Sequence, residues 1–294
     1  NVTVVEQLGE VIEELNTRTD VNTIVLEGAG KAFVAGADVK FFVDMINEGS
    51  FSNIEEFTKS GHRVLELIEK SPHTTIALTT GLALGGGLEL ALSCDYRIGT
   101  EKTLLRFPET TIGIYPGLGG TQRAVRICGI EGARYAILAG NFMDCETANA
   151  FGLLTHVADP SEIPSLLKEI SSMGKQDVKY NWSPTDKSNE VVAFACSFYN
   201  DACIESVLSG SLPEGFDSEN KEVSRQLKLI SRTSKTALLK AKELLDDAVS
   251  TGEDLQSGLQ KELDSLDYIF KTSDALEGLS ALIEGRPPEY SRSP

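Results

Sequence analysis

Apolar residues recur along the first third of the chain at two different spacings. In residues 4–15 they return every three or four positions, the period of one helix face, and residues 64–68 belong to a second pattern of this kind. Residues 23–26 and 74–80 are instead short apolar runs with β-branched side chains, which predict buried strands, and residues 96–98 predict another. Because such helices and strands alternate, the chain is predicted to form βαβ units and an α/β fold.

The character of the sequence changes after residue 157. Residues 158–221 scatter Ser, Asp, Asn, Pro and Gly among short helical patterns, which indicates an insertion or connector. Beyond it, apolar stripes at helical spacing in residues 237–248 and 255–270 predict a mostly helical C-terminal region. We therefore divide the chain into a core of residues 1–157, an insertion of residues 158–221 and a C-terminal helical region of residues 222–294.

Composition narrows the class of protein. The 294 residues are 41% hydrophobic, which is enough for a sizeable core, and they carry a formal net charge of −17. This charge repels nucleic acids and anionic membrane surfaces, so neither is expected as a partner. The sequence has no apolar run of the roughly 18 residues that a membrane span needs, and it does not open with a basic segment followed by an apolar one. We therefore expect a cytoplasmic protein.

Cysteine and histidine form no recognisable disulfide or metal-binding pattern. The five cysteines are widely spread, odd in number and without a CxxC pair, so they are predicted to be buried free thiols in a reducing compartment. A reactive or metal-binding cysteine is the alternative. The three histidines form no HExxH or HxH arrangement, and no metal site is predicted.

Three glycine-rich segments, residues 28–31, 36–38 and 85–89, are candidate binding loops. None has the spacing of a Walker or Rossmann nucleotide loop, and residues 28–37 are predicted to form a loop of small residues. In residues 85–89 the glycines precede a predicted short helix, so their N–H groups are expected to be exposed and to stabilise an oxyanion. N–H groups of residues 36–38 could act on the same oxygen. The alternative is that both segments only form tight turns.

Two glutamates stand in settings unlike the rest of this acidic chain. Glu89 directly follows the glycines of residues 85–87, and Glu109 lies in the apolar sequence Phe107-Pro108-Glu109, where burial is expected to raise its pKa. Two carboxyl groups in different environments can divide the roles of acid and base. The alternative for each glutamate is an ordinary solvated or helix-capping residue.

Three segments resemble the crotonase superfamily in order and spacing: residues 35–40 (Ala-Gly-Ala-Asp-Val-Lys), 85–89 (Gly-Gly-Gly-Leu-Glu) and 108–123. The resemblance is strong over residues 1–157, weak over 158–221 and moderate in the C-terminal helices. It implies the α/β crotonase fold, which is a spiral of βαβ units followed by a helical region. In this superfamily that region packs in homotrimers, often paired to hexamers.

The resemblance also implies a role for each matched residue. The substrate would be an acyl-CoA thioester, and no cofactor is implied because CoA is part of that substrate. Glu89 would orient and deprotonate a water molecule, while Glu109 would share that water and deliver a proton to Cα. The other implied site residues are the oxyanion-hole N–H donors Ala37 and Gly86, the CoA-site residues Ala35, Asp38, Val39 and Lys40, and Gly117 beside the acyl chain.

The implied activity is that of an enoyl-CoA hydratase, with other crotonase-type enzymes as alternatives. Residues 158–221 are longer than in simple hydratases and resemble the 3-hydroxyisobutyryl-CoA hydrolase branch, which keeps a thioester hydrolase as an alternative. Enoyl-CoA isomerases usually lack a carboxylate at the position of Glu89. Some relatives bind RNA, but the net charge of −17 and the lack of a basic stripe oppose that role.

Two features depart from the superfamily pattern. The chain starts at the first helix, where relatives usually begin with a β-hairpin. We therefore expect that the hairpin is absent or that a 3-hydroxyacyl-CoA dehydrogenase is fused to or associated with the chain. Gly285 stands where a lysine often helps to hold CoA.

Overall fold

The computed structural model describes residues 1–175 and 180–290, and its strands form two four-stranded sheets. The first sheet is parallel throughout, in the order Thr23–Glu27 (β1), Thr74–Thr79 (β3), Tyr96–Gly99 (β5) and His156–Val157 (β8). The second has the order Ala32–Val34 (β2), Leu82–Leu84 (β4), Leu104–Arg106 (β6) and Met143–Asp144 (β7), in which β7 is antiparallel to β6.

The chain places strands in the two sheets alternately, so that β1 precedes β2, β3 precedes β4, and β5 precedes β6. Two of these crossings bring backbone too close for a side chain, since a Cβ on Gly28 would lie 1.9 Å from the Ala32 carbonyl oxygen and one on Gly81 would lie 2.0 Å from that of Lys31. The predicted α/β fold is confirmed. The loop predicted for residues 28–37 is partly wrong, because it contains β2, whose three residues are too few to show a strand pattern.

Helices surround the sheets and dominate the second half of the chain. A 3₁₀ helix, Glu109–Ile112, follows β6. None of the helices within the described ranges is long and apolar enough to cross a membrane. In chain order the α-helices are Val2–Asn16 (α1), Val39–Glu48 (α2), Phe51–Glu69 (α3), Gly86–Leu92 (α4), Gly120–Ile137 (α5), Cys145–Phe151 (α6), Ile163–Met173 (α7), Glu190–Phe198 (α8), Ile204–Ser209 (α9), Lys221–Ile230 (α10), Lys235–Thr251 (α11), Leu255–Asp264 (α12), Leu266–Phe270 (α13) and Ser273–Glu284 (α14).

The segment predicted as an insertion or connector, residues 158–221, is packed onto the rest of the chain. Its helix α7 forms a small apolar cluster with the first sheet, and α8 and α9 bury apolar residues in the main core. Residues 176–179 of this segment lie outside the described part. The residues of the small cluster are Ile76, Leu78, Ile98, Ile163 and Ile170.

The C-terminal helices pack directly against core helices. All six apolar residues of the stripe in residues 237–248 are buried in α11, which confirms that prediction. The stripe predicted in residues 255–270 is divided between α12 and α13, which meet at Ser265. Helix α11 packs on α5, and α12 contacts both α3 and α5, so the C-terminal region is packed directly on helices of residues 1–157. The three-part division of the chain stays a prediction.

The cysteines are free thiols, as predicted. Cys94, Cys128 and Cys203 are buried, whereas Cys145 and Cys196 are only half-buried. The predicted burial is therefore confirmed for three of the five.

Candidate active site

The three motifs meet at one edge of the second sheet. Strands β2, β4 and β6 are parallel neighbours, so the segments that follow them, residues 35–38, 85–86 and 107–109, leave the sheet at the same end. The Gly85 N–H donates a hydrogen bond to the Arg106 carbonyl oxygen at 3.0 Å. A Cβ on Gly85 would lie 2.4 Å from Glu109 Oε1, so the Glu109 side chain lies directly against this glycine.

Helix α4 begins at Gly86 and turns its first residues toward the end of β2. A Cβ on Gly87 would lie 2.1 Å from the Val34 carbonyl oxygen, so only glycine allows this approach. The backbone N–H groups of Ala37 and Gly86 make no hydrogen bond to any other described residue. Two unpaired amide donors therefore flank this edge, on the two segments where the sequence predicted them.

Glu89 is buried in the first turns of α4, and one of its oxygens is held by backbone. Oε1 accepts hydrogen bonds from the N–H groups of Leu118 and Gly120, both at 2.7 Å. Burial raises the pKa of Glu89 to about 7, although the two amides and the Arg123 charge act in the opposite direction. Oε2 makes no hydrogen bond within residues 1–175 and 180–290, so it is available to a ligand.

Glu109 opens the 3₁₀ helix after β6 and is also buried. Its Oε2 has no hydrogen-bond partner in the described part of the chain. Burial, and then the Glu89 charge, raises the pKa of Glu109 well above its ordinary value, while its own backbone amide and then the Arg106 charge act in the opposite direction. The rise predicted from the neighbouring Phe107 and Pro108 is confirmed, and Phe107 is fully buried.

A third carboxyl group, Glu262 of α12, lies beside this pair and was missed from the sequence. It is fully buried, and its Oε2 accepts the Gly119 N–H at 2.7 Å. Burial and the Glu89 charge raise the pKa of Glu262 to about 8. A signal was present, because position 262 lies on the same helix face as the apolar Leu259 and Leu263, where a solvated glutamate is not expected.

The residues implied for CoA binding lie around this edge. Ala35, Asp38 and Lys40 are exposed on and beside the loop after β2, and Val39 is the half-buried first residue of α2. The Lys40 side chain is 75% exposed and its ammonium nitrogen lies 4.0 Å from the Asp44 carboxylate, so a phosphate could reach it. Their role in CoA binding stays a prediction.

Gly117, implied to lie beside the acyl chain, is half-buried next to Leu118, whose amide holds Glu89. A Cβ there would lie 3.8 Å from the Tyr115 ring and 3.8 Å from Leu266. No group of three His, Cys, Asp or Glu side chains that could hold a metal ion occurs among the residues with described positions.

Comparison with known sequences shows the family. A sequence model described as enoyl-CoA hydratase/isomerase matches residues 1–293. An enoyl-CoA isomerase/hydratase of Mycosarcoma maydis is 42% identical over 149 residues, which are 50% of this chain and 53% of that protein. A short-chain-enoyl-CoA hydratase of Clostridium acetobutylicum is 36% identical over 175 residues, 58% of this chain and 65% of that protein. The chain thus spans between about half and two thirds of these relatives.

One further relative matches over more of this chain than the two above, but the match covers a smaller share of that relative. A peroxisomal fatty acid beta-oxidation multifunctional protein of Arabidopsis thaliana is 31% identical over 252 residues, which are 79% of this chain and 34% of that protein.

Solved structures share the fold. An enoyl-CoA hydratase from Rhodobacter sphaeroides 2.4.1 superposes with a TM-score of 0.82 at 21% identity, covering 99% of this chain and 85% of the other. An enoyl-CoA hydratase from Bacillus anthracis gives a TM-score of 0.55 at 27% identity, covering 100% and 90%. The predicted crotonase fold is confirmed, and with the match over nearly its whole length the chain belongs to the enoyl-CoA hydratase/isomerase family.

Proposed function

We propose that the chain is an enoyl-CoA hydratase, which reversibly adds water to the double bond of a trans-2-enoyl-CoA to give a 3-hydroxyacyl-CoA. The observation that carries this proposal is the pair of buried carboxyl groups, Glu89 and Glu109, each with one oxygen free of protein hydrogen bonds in the described structure. They lie at the sheet edge where two amide donors are also unpaired. Relatives named as hydratases support the same substrate class.

The unpaired amides of Ala37 and Gly86 would bind the thioester carbonyl oxygen. When a nucleophile adds to C3 of the enoyl group, negative charge moves to this oxygen and an enolate forms. Donors already in place stabilise that charge without reorganising, and losing one such donor typically costs about 10²–10³ in rate.

The two glutamates have different environments, which assigns their roles. The amides of Leu118 and Gly120 stabilise the ionised form of Glu89, so Glu89 is the base that removes a proton from water as the water oxygen bonds to C3. Among the described residues no such pair of amides from a neighbouring turn binds Glu109, and the Glu89 charge repels it, so we assign to Glu109 the proton that is given to C2. Return of a proton from Glu89 to Glu109 resets the site, and the sum is addition of one water.

The exposed residues after β2 would hold the CoA part of the substrate. We assign Ala35, Asp38, Val39 and Lys40 to this site, with Gly117 against the acyl chain. We propose no metal or redox cofactor, because every proton and electron pair in this reaction moves between water, substrate and the groups already named. Nucleic acids and membranes have no part in the proposed reaction.

The proposal also includes the oligomeric state and the protein partners of the chain. We propose a homotrimer or hexamer, as the resemblance implies. Fusion to or association with a 3-hydroxyacyl-CoA dehydrogenase is supported by the similarity to a multifunctional beta-oxidation protein, of which this chain matches 34%.

Product analysis tests the proposed activity. The protein is incubated with crotonyl-CoA and longer trans-2-enoyl-CoA substrates, loss of the enoyl-thioester absorbance is followed, and the products are identified by mass spectrometry. A hydratase gives an acyl-CoA heavier by one water. Release of free CoA would identify a thioester hydrolase instead, and no turnover of any enoyl-CoA would refute the proposal.

The second candidate is an enoyl-CoA isomerase. Glu109 alone, with Oε2 free, could carry a proton between C2 and C4, and a relative is named as an isomerase/hydratase. Conversion of a 3-enoyl-CoA to its 2-enoyl isomer without change of mass, in the absence of hydration, would favour this activity.

A further inference from the structure

The buried carboxyl group of Glu262 has no role in the proposed reaction. It nevertheless binds the same backbone turn as Glu89, residues 117–121, which we call the turn below. Its Oε2 accepts the Gly119 N–H at 2.7 Å, and its Oε1 accepts the Thr121 hydroxyl. The amides on either side of Gly119, those of Leu118 and Gly120, donate to Glu89. Successive donors along this turn therefore alternate between the two carboxyl groups.

The carbonyl groups of the same turn are also held. His62 Nε2 lies 2.8 Å from the Gly117 carbonyl oxygen, and because that oxygen can only accept, the ring nitrogen donates. Burial lowers the pKa of His62 to about 4, so the ring is neutral. Arg123 Nη1 donates to the Leu118 carbonyl oxygen at 3.1 Å. The carboxyl groups of Glu89 and Glu262 thus supply acceptors for this turn, while His62 of α3 and Arg123 of α5 supply donors.

Charged and titratable groups surround Glu262 on several sides. Its Oε2 lies 3.9 Å from His62 Nε2, and its backbone carbonyl accepts the Tyr115 hydroxyl at 2.6 Å. Glu89 repels its charge and Arg123 attracts it. Removing this side chain would leave the Gly119 N–H and the Thr121 hydroxyl buried without an acceptor, and such groups seek new partners by moving.

We infer that Glu262 is a positioning residue: from α12 it fixes Gly119 and Thr121, and so keeps the neighbouring amides of Leu118 and Gly120 on Glu89. These two hydrogen bonds join the turn to the Glu89 carboxyl group, so a shift of the turn would weaken the hold on the base. The C-terminal helical region would in this way take part in the active site. The expected effect on turnover rests on the proposed function, whereas the expected effect on Glu89 does not.

Two substitutions separate hydrogen bonding from ionisation. Glu262→Ala and Glu262→Gln both remove the ionisable carboxyl group, but the glutamine oxygen still accepts from Gly119 and its amide can donate to the Thr121 oxygen. We expect Glu262→Ala to lower kcat at least about tenfold with KM changed less than about twofold, because a base displaced by about 1 Å can cost about 10²-fold. Glu262→Gln should stay within about threefold of wild type.

A matched control is Gln226→Ala in α10. Gln226 is also fully buried in the C-terminal helical region, and its side chain bonds to Asn141 and Tyr199, away from the turn. This variant should lose thermal stability while the kcat of the folded protein is unchanged. A similar fall of kcat in Gln226→Ala would show that general loosening, and not the turn, explains the result for Glu262→Ala.

A second measurement does not depend on turnover. In protein labelled with carbon-13 at glutamate carboxyl carbons, the Glu89 signal is assigned by its loss in Glu89→Gln and followed against pH. Loss of its two amide donors destabilises the ionised form, so the midpoint should be about one pH unit higher in Glu262→Ala than in Glu262→Gln. If wild type hydrates nothing but this difference appears, the proposed function fails and the positioning role stands.

Equal midpoints and equal kcat in the two variants would overturn the inference. If Glu262→Ala does not fold, Thr121→Val removes one of the two bonds from the turn to Glu262 at nearly constant side-chain volume. It should lower kcat about threefold and raise the Glu89 midpoint, with Thr121→Ser, which keeps the hydroxyl, close to wild type. Wild-type values for Thr121→Val would equally refute the positioning role.

Discussion

Asp95 and Glu109 are both buried carboxyl groups beside parallel strands, but their surroundings are opposite. Asp95, just before β5 in the first sheet, accepts the Thr75 N–H at 2.8 Å and the Thr75 hydroxyl at 3.0 Å, and it pairs with the Lys175 ammonium at 2.8 Å. Glu109, just after β6 in the second sheet, has a buried oxygen with no hydrogen-bond partner among the described residues and a second glutamate nearby.

The difference in partners separates a carboxylate that stabilises the fold from a carboxyl group that can act as an acid or base. Full hydrogen bonding and a counterion offset the cost of burying the Asp95 charge, so that group stabilises the fold. The cost of burying Glu109 is not offset, and the pKa of its carboxyl group is raised well above the ordinary value. Burial alone does not distinguish these two carboxyl groups, because both are buried. Their hydrogen-bond and charge partners distinguish them.

The largest effect should come from removing either free carboxyl group at the edge of the second sheet. Glu89→Gln and Glu109→Gln keep the shape of each side chain but cannot transfer a proton. Each should therefore lower kcat for hydration about 10²–10⁴-fold while circular dichroism is unchanged. The matched control is Asp95→Asn, whose folded fraction should keep wild-type kcat. Activity above about a tenth of wild type in either glutamine variant would show that its carboxyl group is not the acid or base.

The oxyanion donor at Gly86 can be deleted with little other change. Proline is tolerated at the first position of a helix, where Gly86 lies, but it has no N–H. A Cβ at this position would lie 3.3 Å from Leu118 Cδ1, so Gly86→Ala is the control that adds the carbon and keeps the donor. We expect Gly86→Pro to lose about 10²–10³ in kcat relative to Gly86→Ala, with melting temperatures confirming that both fold. Equal rates for the two would exclude this amide from the oxyanion hole.

Removal of the carboxyl charge should change stability in opposite ways in the two regions. Because the pKa of Glu89 is raised to about 7, the folded protein keeps a proton that the unfolded chain releases above its ordinary pKa of 4.5. Wild type therefore loses stability as pH rises through this window, and Glu89→Gln should be the more stable protein at pH about 8, by at most about 3 kcal/mol, with no gain near pH about 4. Asp95→Asn should instead be less stable by about 2 kcal/mol at neutral pH. Urea unfolding at several pH values measures both, and a gain for Asp95→Asn would contradict the comparison.

The smallest effect should come from Lys40, an exposed residue in the first turn of α2. Lys40→Ala should raise KM for crotonyl-CoA roughly fivefold with little change in kcat, because an exposed contact to a CoA phosphate is worth only about 1 kcal/mol and binds ground and transition states alike. The rise should shrink at high ionic strength. Lys59, exposed on α3 and paired with Glu55, is the matched control lysine, and its alanine variant should keep wild-type KM. KM values equal to wild type for Lys40→Ala at low salt would remove Lys40 from the CoA site.

Much of the fold could be predicted where apolar residues recur at a regular spacing over one helix or strand. Strands β1, β3 and β5 have five, six and four residues and lie close to their predicted places, and the stripe of α11 is buried as its spacing indicated. Strands β2, β4 and β6 have only three residues each, so no alternation could reveal them. These three short strands are nevertheless the ones that bring the motifs to one edge.

By itself the sequence determined the fold class, the family resemblance and the two glutamates to examine, because these depend on residue types at short, fixed spacings. The tertiary structure alone decided which carboxyl oxygens have partners. Glu89 is held by amides about 30 residues away along the chain, and Glu262 reaches the same turn from 143 residues beyond Gly119. Burial and charge act through space, so the pKa and the role of a carboxyl group depend on neighbours that no local pattern contains.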